Sequence, residues 1–248
     1  MDESSRKASR NFLLLGIFGV AMGFLEAVVV VYLRQLYYPE GFLFPLKMMP
    51  SDILSAELIR ELSTLVMLVV IGILAGKNFL QKFSYFLYTF AMWDIFYYVA
   101  LKLFLNWPSS FLTWDILFLI PVTWVGPVLA PILCSLTMIF LAISVVFLQE
   151  KGYDAKFKVY EWIMILLGAF IIFYTFIYDY SKIIIQGGFL SRFWDLAKDD
   201  HFWHIISYYK PTSFQWLLFL VGEALIVLAI ILMIKRTRLS KKSLTEKT

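Results

Sequence analysis

Cysteine and histidine are nearly missing from this chain, with one cysteine and two histidines in 248 residues. The single cysteine, Cys134, permits no intramolecular disulfide, and its apolar setting says nothing about redox compartment. Two histidines are too few for the three-histidine zinc sites of some intramembrane hydrolases. His201 and His204 stand one helical turn apart after Asp199 and Asp200, a spacing that can share a metal. Without a third strong ligand, they read instead as residues of a wet, aromatic-flanked surface helix.

Charge is also scarce, at 16% of residues against roughly 25% in soluble domains. The chain has no glycine-rich phosphate loop, no nucleotide fingerprint and no Gly-x-Ser-x-Gly elbow, so no cofactor is expected. A retinal protein would need a lysine inside its last helix, and none precedes Lys235 there. The formal net charge of +4 is not a nucleic-acid signal, because basic residues in such a chain gather on the cytoplasmic side and orient it.

What is abundant is hydrocarbon. The composition is 61% hydrophobic and the mean hydropathy is +0.78, and apolar stretches of roughly 18 or more residues recur along the chain. The expected fold is all-α, a polytopic membrane helix bundle forming one transmembrane domain over residues 1–248, with the lipid bilayer as its first partner. Six spans are predicted: Asn11–Leu33, Leu58–Gly76, Ser84–Phe104, Val128–Leu148, Val159–Tyr180 and Phe214–Ile234. Arg6, Lys7 and Arg10 precede the first. That run exceeds a signal-peptide core of roughly 7–15 residues and lacks a small-x-small cleavage site, so it reads as a retained helix.

The apolar stretch from Phe111 to Leu148 would be roughly 57 Å long as one helix, nearly twice a hydrocarbon core. Pro121, Pro127 and Pro131 interrupt it. The reading therefore splits it into a short outer or re-entrant helix, Phe111–Ile120, and a full span from Val128. Parity agrees. The tail with Lys235, Arg236, Arg238, Lys241, Lys242 and Lys247 is the most basic stretch. An even number of spans puts it in the cytoplasm with the N-terminus.

Ser181–Lys210 then faces outward. It interleaves Phe189, Phe193, Trp194, Phe202 and Trp203 with Arg192, Asp195, Lys198, Asp199 and Asp200, which suits an interfacial helix over about 188–209 with its apolar face in lipid. Trp107, Trp114 and Trp124 sit where an aromatic belt belongs. Gly72 and Gly76 form a Gly-x-x-x-Gly that permits a close helix contact. Trp93-Asp94-Ile95-Phe96 echoes Trp114-Asp115-Ile116-Leu117, too briefly to mark a repeat.

Ionisable groups within the hydrocarbon are costly and so are candidate functional groups. Counting inward by helical rise, Glu26 lies at roughly 12 Å, Asp94 at roughly 15 Å and Glu223 at roughly 13–14 Å, all near the midplane. Above them come Arg34, Glu57, Arg60, Glu61, Lys102 and Asp115. Glu57 and Glu61 share a face, and Arg60 can reach Glu57. Charge thus favours the outer half, and a polar cavity open to the outside explains this. Plainer roles exist for each group: snorkelling for Arg34, Lys102 and Asp115, an intrahelical pair for Glu57 and Arg60, and hydrogen-bonded neutral acids for Glu26, Asp94 and Glu223.

The stretches Glu26–Arg34, Glu57–Glu61, Trp93–Tyr98, Asn106-Trp107-Pro108 and Thr113–Leu117 together resemble a group of bacterial polytopic integral membrane proteins without a known activity. The resemblance covers the chain to about Ala130. It implies a bacterial inner membrane and carries over no catalytic role.

Three functions compete. A carrier would move a small solute coupled to a proton or cation, because carboxylates outnumber bases at mid-depth and proline-broken helices are a transporter trait. A membrane-embedded enzyme would act on a lipid-linked or amphiphilic substrate, with Asp115 or the Glu57/Glu61 pair as general base and Arg34 or Arg60 on an anionic headgroup. A scaffold would use the polar groups only to lock helices. The carrier is the preferred expectation.

Overall fold

The apolar runs form helices in the computed structural model of the chain, which describes residues 3–47 and 49–245. In chain order the helices are α1 (Glu3–Tyr37), α2 (Ser51–Ala75), α3 (Phe79–Leu105), α4 (Leu129–Glu150), α5 (Val159–Gln186), α6 (Asp200–Ile206) and α7 (Trp216–Thr245), with a 3-10 helix at Phe189–Lys198 before α6. The strands β1 (Trp114–Phe118) and β2 (Trp124–Pro127) lie between α3 and α4. Lys247 and the side chains of Phe193, Trp194, Asp195, Lys198, Asp200, Lys241 and Lys242 fall outside the described part. Every predicted span lies within a helix to about a residue or two at its ends. The helices run longer because hydropathy marks only the apolar portion, whereas the hydrogen-bond ladder continues through polar turns.

Among the described residues, α1, α2, α4, α5 and α7 are each long and apolar enough to cross a membrane. Their outward faces expose Leu13, Ile17, Val66, Leu74, Leu166, Phe170 and Leu217, as a multi-pass integral membrane protein requires. α3 spans about 40 Å at helical rise but carries Gln81, Lys82, Asp94, Lys102 and several tyrosines. It runs between α1, α2 and α4, burying Gln81, Ser84, Tyr85, Thr89 and Trp93, while Lys82 and Lys102 stand near its two ends.

Small residues set the closest approaches. A Cβ on Gly168 of α5 would lie 2.6 Å from the Gly222 carbonyl oxygen of α7, and one on Gly222 would lie 2.8 Å from the Gly168 oxygen. These helices therefore meet backbone to backbone. Gly19 and Gly23 let α1 press equally close to α3, at Met92 and Trp93. The Gly72–Gly76 pair makes the expected close contact, against Lys82 and Phe86 of α3.

The predicted helix at Phe111–Ile120 does not form. β1 and β2 pair antiparallel in the register Trp114↔Pro127, Asp115↔Gly126 and Ile116↔Val125, with an irregularity before Phe118↔Trp124. A stretch rich in Trp, Ile, Phe, Thr and Val on both sides of a turn containing Pro121 suits a hairpin. The hairpin pairs its own backbone groups across the two strands. The Trp-Asp-Ile echo is thus no repeat, since one copy is helical and the other extended.

The interfacial helix is also revised. The stretch after α5 folds back onto the protein as the 3-10 helix and α6. It buries Phe189, Phe202 and Ile206 against Phe42, Leu46, Val125, Tyr180 and Ile184. Asp199 caps α6 by accepting from the N–H groups of His201 and Phe202, both at 3.0 Å, and pairs with Arg192 at 2.9 Å. The three tryptophans assigned to a belt pack inward as well: Trp107 on Arg34, Trp114 on Phe214, and Trp124 on Phe118, Phe173 and Phe176.

The start of α1, the α2–α3 and α4–α5 turns and the end of α7 share one end of the bundle. Lys77–Glu150 (2.8 Å) and Arg236–Glu161 (2.9 Å) tie that end together.

Candidate functional site

The opposite end is hollow. α1 and α2 both lean on α3 and hardly touch each other. Between them, closed off by the hairpin, by Tyr38, Phe42, Leu46, Lys47 and Met49 of the loop after α1, by α5 and by the 3-10/α6 segment, lies a cavity of about 730 Å³. Its walls are mostly apolar, with Val30, Leu33, Leu54, Leu58, Leu62 and Phe118 among them. Of the nine predicted site residues, Glu26, Arg34, Glu57, Arg60, Glu61, Asp94 and Asp115 line it.

Arg34, in the last turn of α1, donates from Nη2 to Asp115 Oδ1 of β1 at 3.0 Å. Its guanidinium carbon lies 3.8 Å from the Trp107 ring centre and 4.4 Å from that of Phe42, two rings set edge to face at 87°, contacts that favour a cation. The pair is buried, with Arg34 at 7% exposure and Asp115 at 1%. It pins the hairpin to α1 across the cavity mouth. This is a built ion pair, not the snorkelling pair of helix ends allowed by the sequence.

Arg60 of α2 makes a second cluster. It donates to Glu57 from Nε and Nη2 at 2.9 and 2.6 Å, and from Nη1 to Glu26 of α1. One guanidinium thereby bridges the two helices that flank the opening. The cation that reaches Glu26 is Arg60, rather than Arg34 or Lys102.

Glu61 and Asp94 are different. Both Glu61 oxygens accept the Leu119 N–H beyond β1, at 3.1 and 3.0 Å, and Asp94 Oδ2 accepts from Ser135 Oγ of α4 at 2.8 Å. Among the described residues, neither carboxylate makes an ion pair within 4 Å, although Glu61 lies in the field of Arg60. Glu61 thus meets a backbone donor that the hairpin turn leaves over.

Two predicted site residues stand elsewhere. Lys102 is outside the cavity and donates to the Asn106 and Pro108 carbonyls at 3.3 and 3.1 Å, closing the end of α3. Glu223 accepts from Thr137 at 2.6 Å between α4 and α7. Depth from helical rise placed Glu223 level with Glu26 and Asp94 but said nothing about the direction it faces. His201 stacks edge-on to Phe189, and His204 packs on Tyr208. Among the described residues, no group of three or more His, Cys, Asp or Glu side chains is placed to hold a metal.

Several lining residues escaped the sequence reading. Tyr97 and Tyr98 could have been found, since they follow Asp94 at helical i+3 and i+4 spacing. Phe42 and Tyr38 come from a loop with no periodic signal. Outside the spans, burial raises the Tyr38 hydroxyl above its ordinary range, against the opposing Lys47 N–H and Arg34. Burial together with the hydrogen bond to Asp179 pushes Tyr209 far up. Both stay protonated; Tyr209 donates to Asp179 and Tyr38 accepts from the Lys47 N–H. No protein-family model, no curated protein and no solved structure matches this chain.

Proposed function

We propose that this protein spans the inner membrane six times with both termini in the cytoplasm, and that its cavity binds an amphiphilic cation for proton-coupled transfer. One observation carries the reading. A mostly apolar cavity of about 730 Å³ holds five carboxylates against three bases (Arg34, Lys47 and Arg60). A bare ion or proton path would be narrow and polar. This volume is in the range that encloses a drug-sized ligand, and the apolar walls suit a hydrocarbon body. Arg60 is ion-paired with two carboxylates and Arg34 with one, and Lys47 lies over the Tyr38 ring. Glu61 and Asp94 are then the carboxylates without an ion pair that can meet a positive charge, beside the rings of Trp93, Tyr97 and Tyr98.

Orientation follows from charge. Most bases gather at the end that bears the start of α1 and the end of α7, and the basic side of a bundle is cytoplasmic. The cavity then opens toward the outer leaflet. α3 is the sixth span; Gln81, Ser84 and Thr89 are buried by its neighbours, and Lys82 and Lys102 lie near its two ends. The likeness to bacterial membrane proteins supports the inner membrane.

Tetraphenylphosphonium is a suitable probe. Purified protein should bind it saturably in equilibrium dialysis, more weakly as pH falls, because protons compete for the carboxylates it needs. Glu61→Gln retains an oxygen for the Leu119 N–H, and Asp94→Asn retains one for Ser135, so each should fold. Each should also weaken binding about tenfold or more and flatten the pH dependence. Absent saturable binding, or wild-type affinity in both variants, would sink the reading.

A further inference from the structure

A second, smaller cavity of about 260 Å³ lies where the start of α1, the end of α2, the start of α3 and the end of α4 come together. Lys7 and Asn11 line it from α1, Lys77 from the turn after α2, Gln81 and Tyr85 from α3, and Glu150 from α4. Its one carboxylate is taken. Lys77 Nζ donates to the two Glu150 oxygens at 2.8 and 3.0 Å, and Gln81 Nε2 donates to Oε1 at 3.0 Å. Lys7 is exposed and makes no ion pair among the described residues. Asn11 Nδ2 reaches the Ala75 carbonyl only at 3.5 Å, longer than a normal N–H···O bond. The cavity thus keeps one surplus positive charge, two ammoniums against one carboxylate.

Hydrocarbon surface begins at the edge of this cavity. Leu74 of α2 lines it and is itself 75% exposed, and Val70 and Met67 carry the same exposed face on along α2. On α1, Leu14 follows Lys7 and Asn11 at helical spacing and is also exposed. At about 260 Å³ the cavity falls below the roughly 300 Å³ at which pockets for drug-sized ligands begin. It has room for a headgroup and not for a chain. A phosphodiester accepts from ammonium and amide donors and neutralises the surplus charge. A headgroup that adds its own ammonium would find no carboxylate left to meet it.

We infer that this cavity binds the headgroup of an anionic phospholipid, its phosphodiester against Lys7 and Lys77 and its chains along the exposed faces of α1 and α2. Basic pockets between helices at the cytoplasmic side hold such headgroups in other membrane proteins. The site is separate from the outer cavity and does not depend on what that cavity carries.

Delipidated protein in dodecylmaltoside tests this, titrated with phosphatidylglycerol or with phosphatidylethanolamine of the same chains and read by native mass spectrometry. The first phosphatidylglycerol should bind about fivefold more tightly than the first phosphatidylethanolamine, the factor that one lysine near an anionic headgroup supplies. Lys7→Gln should bring that ratio toward one. Arg6→Gln removes the same charge from the same turn of α1, but Arg6 does not line the cavity, so the ratio should stay near wild type. Both positions are exposed, so both variants should fold. Equal binding of the two lipids by the wild-type protein would overturn the inference. So would an equal loss of the ratio in both variants, which would assign the preference to the basic end as a whole. A wash in millimolar inorganic phosphate, before exchange into volatile buffer, should leave phosphatidylglycerol in place. Its displacement would make the cavity a site for free phosphate and would also overturn the assignment to lipid.

Discussion

Neutralising Asp115 alone, as Asp115→Asn, should destabilise the protein more than removing both members of its pair. At 3.0 Å and an effective dielectric of about 20, the Arg34–Asp115 attraction is about 5–6 kcal/mol. Desolvation of two buried ions, several kcal/mol each, offsets most of it. The net worth of the pair is therefore small, but its halves are not independent. Asp115→Asn leaves a guanidinium at 7% exposure without a counter-charge, and Arg34→Gln leaves a carboxylate at 1%. Each should cost about 3–5 kcal/mol. Arg34→Gln should sit at the high end, because it also loses the contacts with Trp107 and Phe42, worth about 0.5–2 kcal/mol. The double variant should cost less than the sum of the singles by at least about 3 kcal/mol. SDS-titrated unfolding of the four proteins in mixed micelles closes the cycle. Singles that each cost under about 1 kcal/mol and simply add would refute the claim that this pair pins the hairpin to α1.

The other predictions are quicker to check. Replacing Gly168 or Gly222 with valine should lower stability by about 1–3 kcal/mol, because either side chain would strike the facing carbonyl; unchanged SDS midpoints would contradict the backbone contact. Glu223→Gln can still accept from Thr137 and lies outside the cavity, so tetraphenylphosphonium binding should match wild type within about twofold; a larger loss would tie α7 to the site. Reporter fusions after Lys77, Lys151 and Lys242 should report cytoplasm and those after Pro50 and Lys198 the exterior, and a cytoplasmic signal at Lys198 would break the six-span topology.

Composition and hydropathy determined that this chain is a helical membrane protein and where its helices run. Burying backbone in lipid leaves the helix as the default solution, and runs such as Phe214–Ile234 are too long and apolar for anything else. The cost of intramembrane charge likewise made Glu26, Arg34, Glu57, Arg60, Glu61, Asp94 and Asp115 legible as a group before their contacts were known. The sequence could not determine facing. Glu223 and Lys102 passed the same depth test and point elsewhere, because rise along an axis does not fix rotation about it.

Nor could local pattern decide Phe111–Pro127, where a short apolar run with prolines suits a half-helix or a strand equally well. Only the fold supplies the partners, Arg34 for Asp115 and Glu61 for the Leu119 N–H, that hold the hairpin. The packing of the 3-10 helix and α6 onto protein rather than lipid is another tertiary decision. Their apolar face would satisfy either, and on the protein it meets Phe42, Leu46, Val125, Tyr180 and Ile184.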